Sequence, residues 1–201
     1  LESTFPIQLE RTLQIPQAAM TFIIHQDGRR LIYQALKDDL RLVVLDLQDG
    51  KLLGYLEGHV GRITHFILSP NGHRLASASE DHSLRLWDLD NFRCLFTLQG
   101  HNEPVRTLTF TPDGSRFLSG AGDNTIRIWD TTHGNCLGVL AGHQKGVSAL
   151  AITPDGSRLV SGSEDGSLRI WDLQTSQCIF TCVNNSLGIV RHTSPLAISP
   201  D

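Results

Sequence analysis

The stretch GHNEPVRTLTFTPDGSRFLSGAGDNTIRIWDTTHGNCLGVL, Gly100 to Leu140, decides the architecture of this 201-residue chain. It opens with Gly-His, carries Trp-Asp near its end, and closely similar text stands on both sides of it. Gly-His recurs at Gly58-His59, Gly100-His101 and Gly142-His143. Trp-Asp recurs at Trp87-Asp88, Trp129-Asp130 and Trp171-Asp172, and both sets are 42 residues apart. A fixed period of this size, held over three copies without insertion, is the signature of a repeat architecture.

Inside the stretch the local code is β. Val105–Phe110 is a first apolar run, echoed by Ile63, Phe66 and Leu68 and by Val147, Leu150 and Ile152. Pro112-Asp113-Gly114 then marks a turn, because Gly accepts the positive φ that tight turns demand. A second run, Arg116–Gly120, ends at a polar turn holding Asp123. The third, Thr125–Asp130, alternates strictly, and the last is Cys136–Leu140. Four short strands joined by tight turns predict a small antiparallel sheet. Such a sheet has two apolar faces and must stack both on neighbours, which is why the unit repeats.

Outward from the centre, the copies run 58–99, 100–141 and 142–183. Residues 16–57 form a degenerate copy, with His25–Gly28 in the place of Ser69–Gly72, Leu45-Asp46 in that of Trp87-Asp88, and a two-residue insertion around Lys37-Asp38-Asp39. Residues 184–201 start a further repeat, with Asn184-Asn185 instead of Gly-His. Residues 1–15 contain a strand-like segment, Ile7–Gln14, expected to close the ring. The chain starts at Leu1 and stops inside a repeat at Asp201, and is expected to be a piece of a longer protein; by itself its open arc is expected to aggregate or self-associate.

Composition is ordinary for a soluble protein, with 40% hydrophobic and 19% charged residues. The net charge of −4 argues against a nucleic-acid partner, which needs a concentrated basic patch. No apolar run reaches the roughly 18 residues of a membrane span. Cys94, Cys136 and Cys178 share one repeat position and are kept apart by a repeat's thickness. Cys178 and Cys182 lie about 13 Å apart along a strand, too far for a disulfide. Reduced, half-buried thiols and a cytoplasmic location are expected. There is no C-x2-C pair, and no metal or cofactor site is expected.

Gly-His, a PDG turn, Ser-Gly-x-x-Asp and Trp-Asp in a repeat of about 42 residues resemble the WD40 family. The resemblance is strong over 58–183 and weak over 16–57 and 184–201. It implies an all-β fold: a WD40-type β-propeller, truncated, of four repeats plus the first strand of a fifth, with the first strand of each sheet innermost. The closely similar copies also resemble bacterial, especially cyanobacterial, WD40 arrays. These often follow a signalling NTPase, so the resemblance extends to fusion with an upstream NTPase module.

Each strong copy holds a His, a Ser, an Asp and a Trp: His59, Ser77, Asp81, Trp87; His101, Ser119, Asp123, Trp129; His143, Ser161, Asp165, Trp171. Ser, His and Asp together suggest a hydrolase. An enzyme, however, needs one nucleophile in one pocket, whereas this set recurs in every strong copy, and no G-x-S-x-G elbow accompanies it. A buried indole N–H needs an acceptor, and a buried imidazole needs a partner on each nitrogen. The expectation is therefore a structural tetrad and no catalytic residue, as the family resemblance also implies. The next hydroxyl position reads Ser79, Ala121, Ser163, so it is not required.

Arg85, Arg127 and Arg169 repeat two residues before each Trp and are expected to lie along it with the guanidinium wet. His25, His65, His73, His82, His133 and His192 share no spacing and are expected on the solvated surface. The loop tips vary while the strands hold. By the resemblance, Arg62, His82, Asn102, Glu103, Asn124, Gln144, Lys145 and Glu164 line the expected partner-binding face, for a protein or peptide. Phe92, an aromatic in an exposed turn, keeps the opposite face in contention. The leading reading is a non-catalytic protein-interaction scaffold. The alternative is a ligand-binding or catalytic site in the central channel, for which His65 is the mid-strand candidate.

Overall fold

The computed structural model describes residues 21–34 and 40–183. The strand-like segment 7–14, the insertion at Lys37-Asp38-Asp39, His192 and the start of the further repeat at 184–201 lie outside the described residues.

Every regular element among the described residues is a strand, and consecutive strands pair in fours. The first sheet is β1 (Thr21–Ile24), β2 (Arg30–Gln34), β3 (Leu42–Asp46) and β4 (Leu52–Leu56). The second is β5 (Ile63–Leu68), β6 (Arg74–Ser79), β7 (Leu84–Asp88) and β8 (Arg93–Leu98). The third is β9 (Val105–Phe110), β10 (Arg116–Ala121), β11 (Thr125–Asp130) and β12 (Cys136–Ala141). The fourth is β13 (Val147–Ile152), β14 (Arg158–Ser163), β15 (Ser167–Asp172) and β16 (Gln177–Val183). All pairings are antiparallel meanders. The registers repeat from sheet to sheet: Ser77 faces Arg85, Ser119 faces Arg127 and Ser161 faces Arg169.

The core lies in the seams between sheets. Ile32, Leu42, Val44 and Leu56 of the first sheet pack on Ile63, Phe66, Leu75 and Trp87 of the second. Leu84, Leu86 and Leu98 of the second meet Leu108, Phe117 and Trp129 of the third. Leu118, Ile126, Ile128 and Leu140 of the third meet Leu150, Leu159 and Trp171 of the fourth. The alternation of Thr125–Asp130 explains this: Ile126 and Ile128 face one seam, and Trp129 faces the other. Burying each large apolar side chain contributes about 1.5–3 kcal/mol, so stability resides in neighbouring sheets and not in any sheet alone.

The first sheet replaces the tetrad with apolar packing. Tyr33 and Leu45, in the places of Ser77 and Trp87, join Leu31 and Val43 in a fourth cluster on the side away from the second sheet. At the two ends of the described arc, Phe22 on β1 and Phe180 on β16 are exposed by 61% and 57%.

Three expectations are corrected. The cysteines are exposed and not half-buried, because Cys94, Cys136, Cys178 and Cys182 all sit on outermost strands that pair on one side only. Phe92 is half-buried and not a solvent-facing turn aromatic: its ring covers Gly54 of β4 so closely that a β-carbon there would stand 2.8 Å away. His25 is buried and not solvated, with its Nε2 2.8 Å from the Gly72 carbonyl of the next sheet.

Candidate functional site

The three sequence tetrads are assembled identically. Trp87 Nε1–H donates to Ser77 Oγ at 2.8 Å, and Ser77 Oγ lies 2.8 Å from His59 Nε2. His59 Nδ1 lies 3.1 Å from Asp81 Oδ2. In the third sheet the corresponding distances are 2.8, 2.8 and 2.8 Å, and in the fourth 2.8, 2.7 and 3.1 Å. Because Trp can only donate and a carboxylate can only accept, the network assigns each imidazole as the neutral Nδ1–H tautomer, with Ser Oγ–H donating to Nε2. Each serine is fully buried and each imidazole nearly so.

Burial depresses the pKa of His59, His101 and His143 below the usual 6.5, against the opposing pull of the paired aspartate. Burial raises the aspartates, but the hydrogen bonds they accept outweigh it, and Asp81, Asp123 and Asp165 end below the ordinary carboxylate range. A hydroxyl missed by the sequence reading completes the cluster. Ser83, Thr125 and Ser167 donate to the other aspartate oxygen at 2.6, 2.7 and 2.6 Å. Their shared spacing of 42 was the available signal.

The network serves the loops. The Asp81, Asp123 and Asp165 carboxylates accept the backbone N–H groups of Val60, Asn102 and Gln144, the residues after each Gly-His. Glu80, Gly122 and Glu164 amides donate to the carbonyls of Arg62, Pro104 and Gly146. The loop that enters each sheet is thereby tied to the turn between the second and third strands. Gly58 and Gly100 have φ of 143° and 156°, and a β-carbon on them would stand 2.4 and 2.8 Å from the guanidinium of Arg85 and Arg127. This is why glycine precedes each histidine. The repeated arginines are accordingly more enclosed than expected: the Nε atoms of Arg85, Arg127 and Arg169 are buried, and Arg85 Nη2 donates to the Gly58 carbonyl at 2.8 Å.

The eight residues of the expected partner face all fall at this end of the sheets. His82, Asn102, Glu103, Gln144, Lys145 and Glu164 are exposed, while Arg62 and Asn124 are half-buried. Arg62 lies 3.9 Å from Glu80, and Asn124 Nδ2 donates to the Gln144 carbonyl of the next sheet at 3.4 Å. His82 and Asn124 hold φ of 65° and 68° where the fourth sheet has Gly166 at 80°. Two residues of this face stand outside those eight. Val60, an aliphatic tip, is 82% exposed. Arg106, on innermost strand β9, pairs with Glu164 across the seam. Arg106 is a second titratable side chain on an inner strand besides His65, whose pKa burial lowers. Among the described residues no group of His, Cys, Asp and Glu is arranged to hold a metal.

Repeated four-stranded sheets, inner strands side by side and Trp–Ser–His–Asp tetrads define an open segment of a β-propeller. The family described as "WD domain, G-beta repeat" matches residues 50–88, 92–130 and 134–172, more than half of the chain, and the chain belongs to the WD40 family. Over 70 residues, 35% of this chain and 7% of the relative, it is 39% identical to U3 small nucleolar RNA-associated protein 21 of Saccharomyces cerevisiae. Over 58 residues, 29% of this chain and 14% of the relative, it is 38% identical to the guanine nucleotide-binding protein subunit beta of the same yeast. Over 79 residues, 39% of this chain and 9% of the relative, it is 32% identical to human WD repeat-containing protein 36. The chain therefore spans only a small part of the length of these relatives.

Proposed function

We propose that this segment is a non-catalytic protein-interaction platform, and that its partner docks on the end of the sheets where the incoming loops meet the turns between second and third strands. The observation that carries this is the contrast between a buried, repeated network and the varied tips it holds. The tetrads fix the Val60, Asn102 and Gln144 backbones to the sheets. The side chains they present differ in turn: apolar at Val60, amide and acidic at Asn102 and Glu103, amide and cationic at Gln144 and Lys145. Rigid anchoring lowers the ordering cost of binding, while varied tips supply specificity. A fold alone does not specify a partner.

One relative's name describes a subunit of a guanine nucleotide-binding protein and another's an association with a small nucleolar RNA. Both names describe components of assemblies, which supports reading this chain as a component too. The finer proposal is a regulatory propeller of a larger signalling protein.

The test is a pair of variants assayed for partner recovery from the source organism. Val60→Asp with Lys145→Glu alters the proposed face, and Thr132→Arg alters the opposite end. Loss of a discrete set of partners with the first variant alone is expected. Partners lost with Thr132→Arg and retained by the first variant would overturn the choice of face.

A further inference from the structure

Arg30, Arg74 and Arg116 occupy one repeat position, at the starts of β2, β6 and β10. At the first two seams this arginine crosses to the following sheet. Arg30 Nη1 donates to the Leu89 carbonyl at 3.2 Å, and Arg74 Nη1 donates to the Thr131 carbonyl at 2.6 Å. Leu89, Thr131 and Leu173 are themselves equivalent, 42 residues apart. The third crossing would run from Arg116 to Leu173, and it is not made. Among the described residues the Arg116 guanidinium has no hydrogen-bond partner, and Arg116 is exposed. At that place the third seam holds a cavity of about 250 Å³, floored by Leu118, Ile128 and Leu173 and rimmed by Asp113, Asp155 and Arg116.

The rim is charged at neutral pH. Hydrogen bonds from Thr111 and Ser115 hold the Asp113 carboxyl below its ordinary range, and those from Thr153 and Ser157 hold Asp155 at about 2. The rim thus carries two carboxylates and one guanidinium above an apolar floor. The volume far exceeds that of one water and falls just short of the range for drug-sized ligands, which suits one long side chain. Long cationic side chains match such a site, because they bury an aliphatic stem while presenting a charged head to carboxylates and carbonyls.

We propose that the seam between the third and fourth sheets is a binding pocket for an arginine side chain of a partner protein. The incoming stem lies on Leu118, Ile128 and Leu173, and its guanidinium takes the place at the Leu173 carbonyl that Arg30 and Arg74 take at the equivalent carbonyls of the other two seams, with Asp113 and Asp155 alongside. The pocket is formed by the turns between first and second strands, so it lies at the opposite end of the sheets from the loop-tip face.

The probe is N-acetyl-arginine methylamide, with its uncharged isostere N-acetyl-citrulline methylamide as control, titrated into the methyl-labelled chain and followed by NMR. Saturable shifts of the Leu118, Ile128 and Leu173 methyls are expected, with binding at least fivefold weaker for the citrulline compound. Asp155→Asn should weaken binding at least threefold. Arg116→Ala should strengthen it severalfold, since it removes the competing positive charge. Folding of both variants is checked by circular dichroism. Absence of saturable shifts in both the wild type and Arg116→Ala, or equal binding of the two compounds, would overturn the proposal independently of anything learned about the loop-tip face.

Discussion

Replacing Ser119 by alanine tests the role assigned to the tetrads. Ser119 is fully buried, and its hydroxyl joins the Trp129 indole to the His101 imidazole, each at 2.8 Å. Trp129 and His101 are only 2% and 5% exposed, so water cannot substitute for the lost oxygen. Orphaning a buried polar group costs about 1–3 kcal/mol, and two are orphaned, so Ser119→Ala should destabilise by about 2–6 kcal/mol. Trp129→Phe removes the donor along with part of the packing against the second sheet, and should cost about 1–3 kcal/mol. In the double variant the indole N–H is no longer stranded. Its cost should therefore fall below the sum of the singles by about 1–2 kcal/mol. Urea unfolding followed by far-ultraviolet circular dichroism gives all three values, provided the slopes agree. Ser79→Ala is the control: its hydroxyl accepts the Asp81 amide at 3.1 Å, and the third sheet already has Ala121 there. If Ser119→Ala costs no more than Ser79→Ala, or the singles simply add, the tetrad reading fails.

Two further outcomes follow from the same structure. Burial keeps His59, His101 and His143 from protonating at 6.5 in the folded chain, whereas the unfolded chain takes up those protons. Their contribution is therefore complete above pH 6.5 and is lost as pH falls below it. Urea midpoints should therefore fall as pH drops below 6.5, and midpoints that stay constant as pH is lowered from 7.5 into the acid range contradict this. All four cysteines are exposed on outermost strands, so a thiol-reactive chromophore should titrate four thiols in the native chain, and a need for denaturant to reach any of them counts against the structure.

The repeat, the strand order within each sheet and the tetrad membership could all be read from the sequence. Each depends on spacing that the local chain carries: alternation sets which side chains share a face, glycine marks the tight turns, and a period of 42 brings equivalent residues into equivalent sheets. Other features could not be read, because they depend on what the adjacent sheet presents. Phe92 looks like a surface aromatic until Gly54 of the preceding sheet leaves room for its ring. His25 has no repeated partner in the sequence, and acquires one only when the Gly72 turn stacks beside it. Arg74 and Arg116 hold the same repeat position, after Asn71-Gly72-His73 and Asp113-Gly114-Ser115, yet one closes its seam and the other leaves a cavity. The position in the repeat is shared, and whether the arginine bridges shows only where the surfaces of two sheets meet. Spacing along the chain sets what each sheet is; the fit between sheets sets which side chains are buried, bridging or available to a partner.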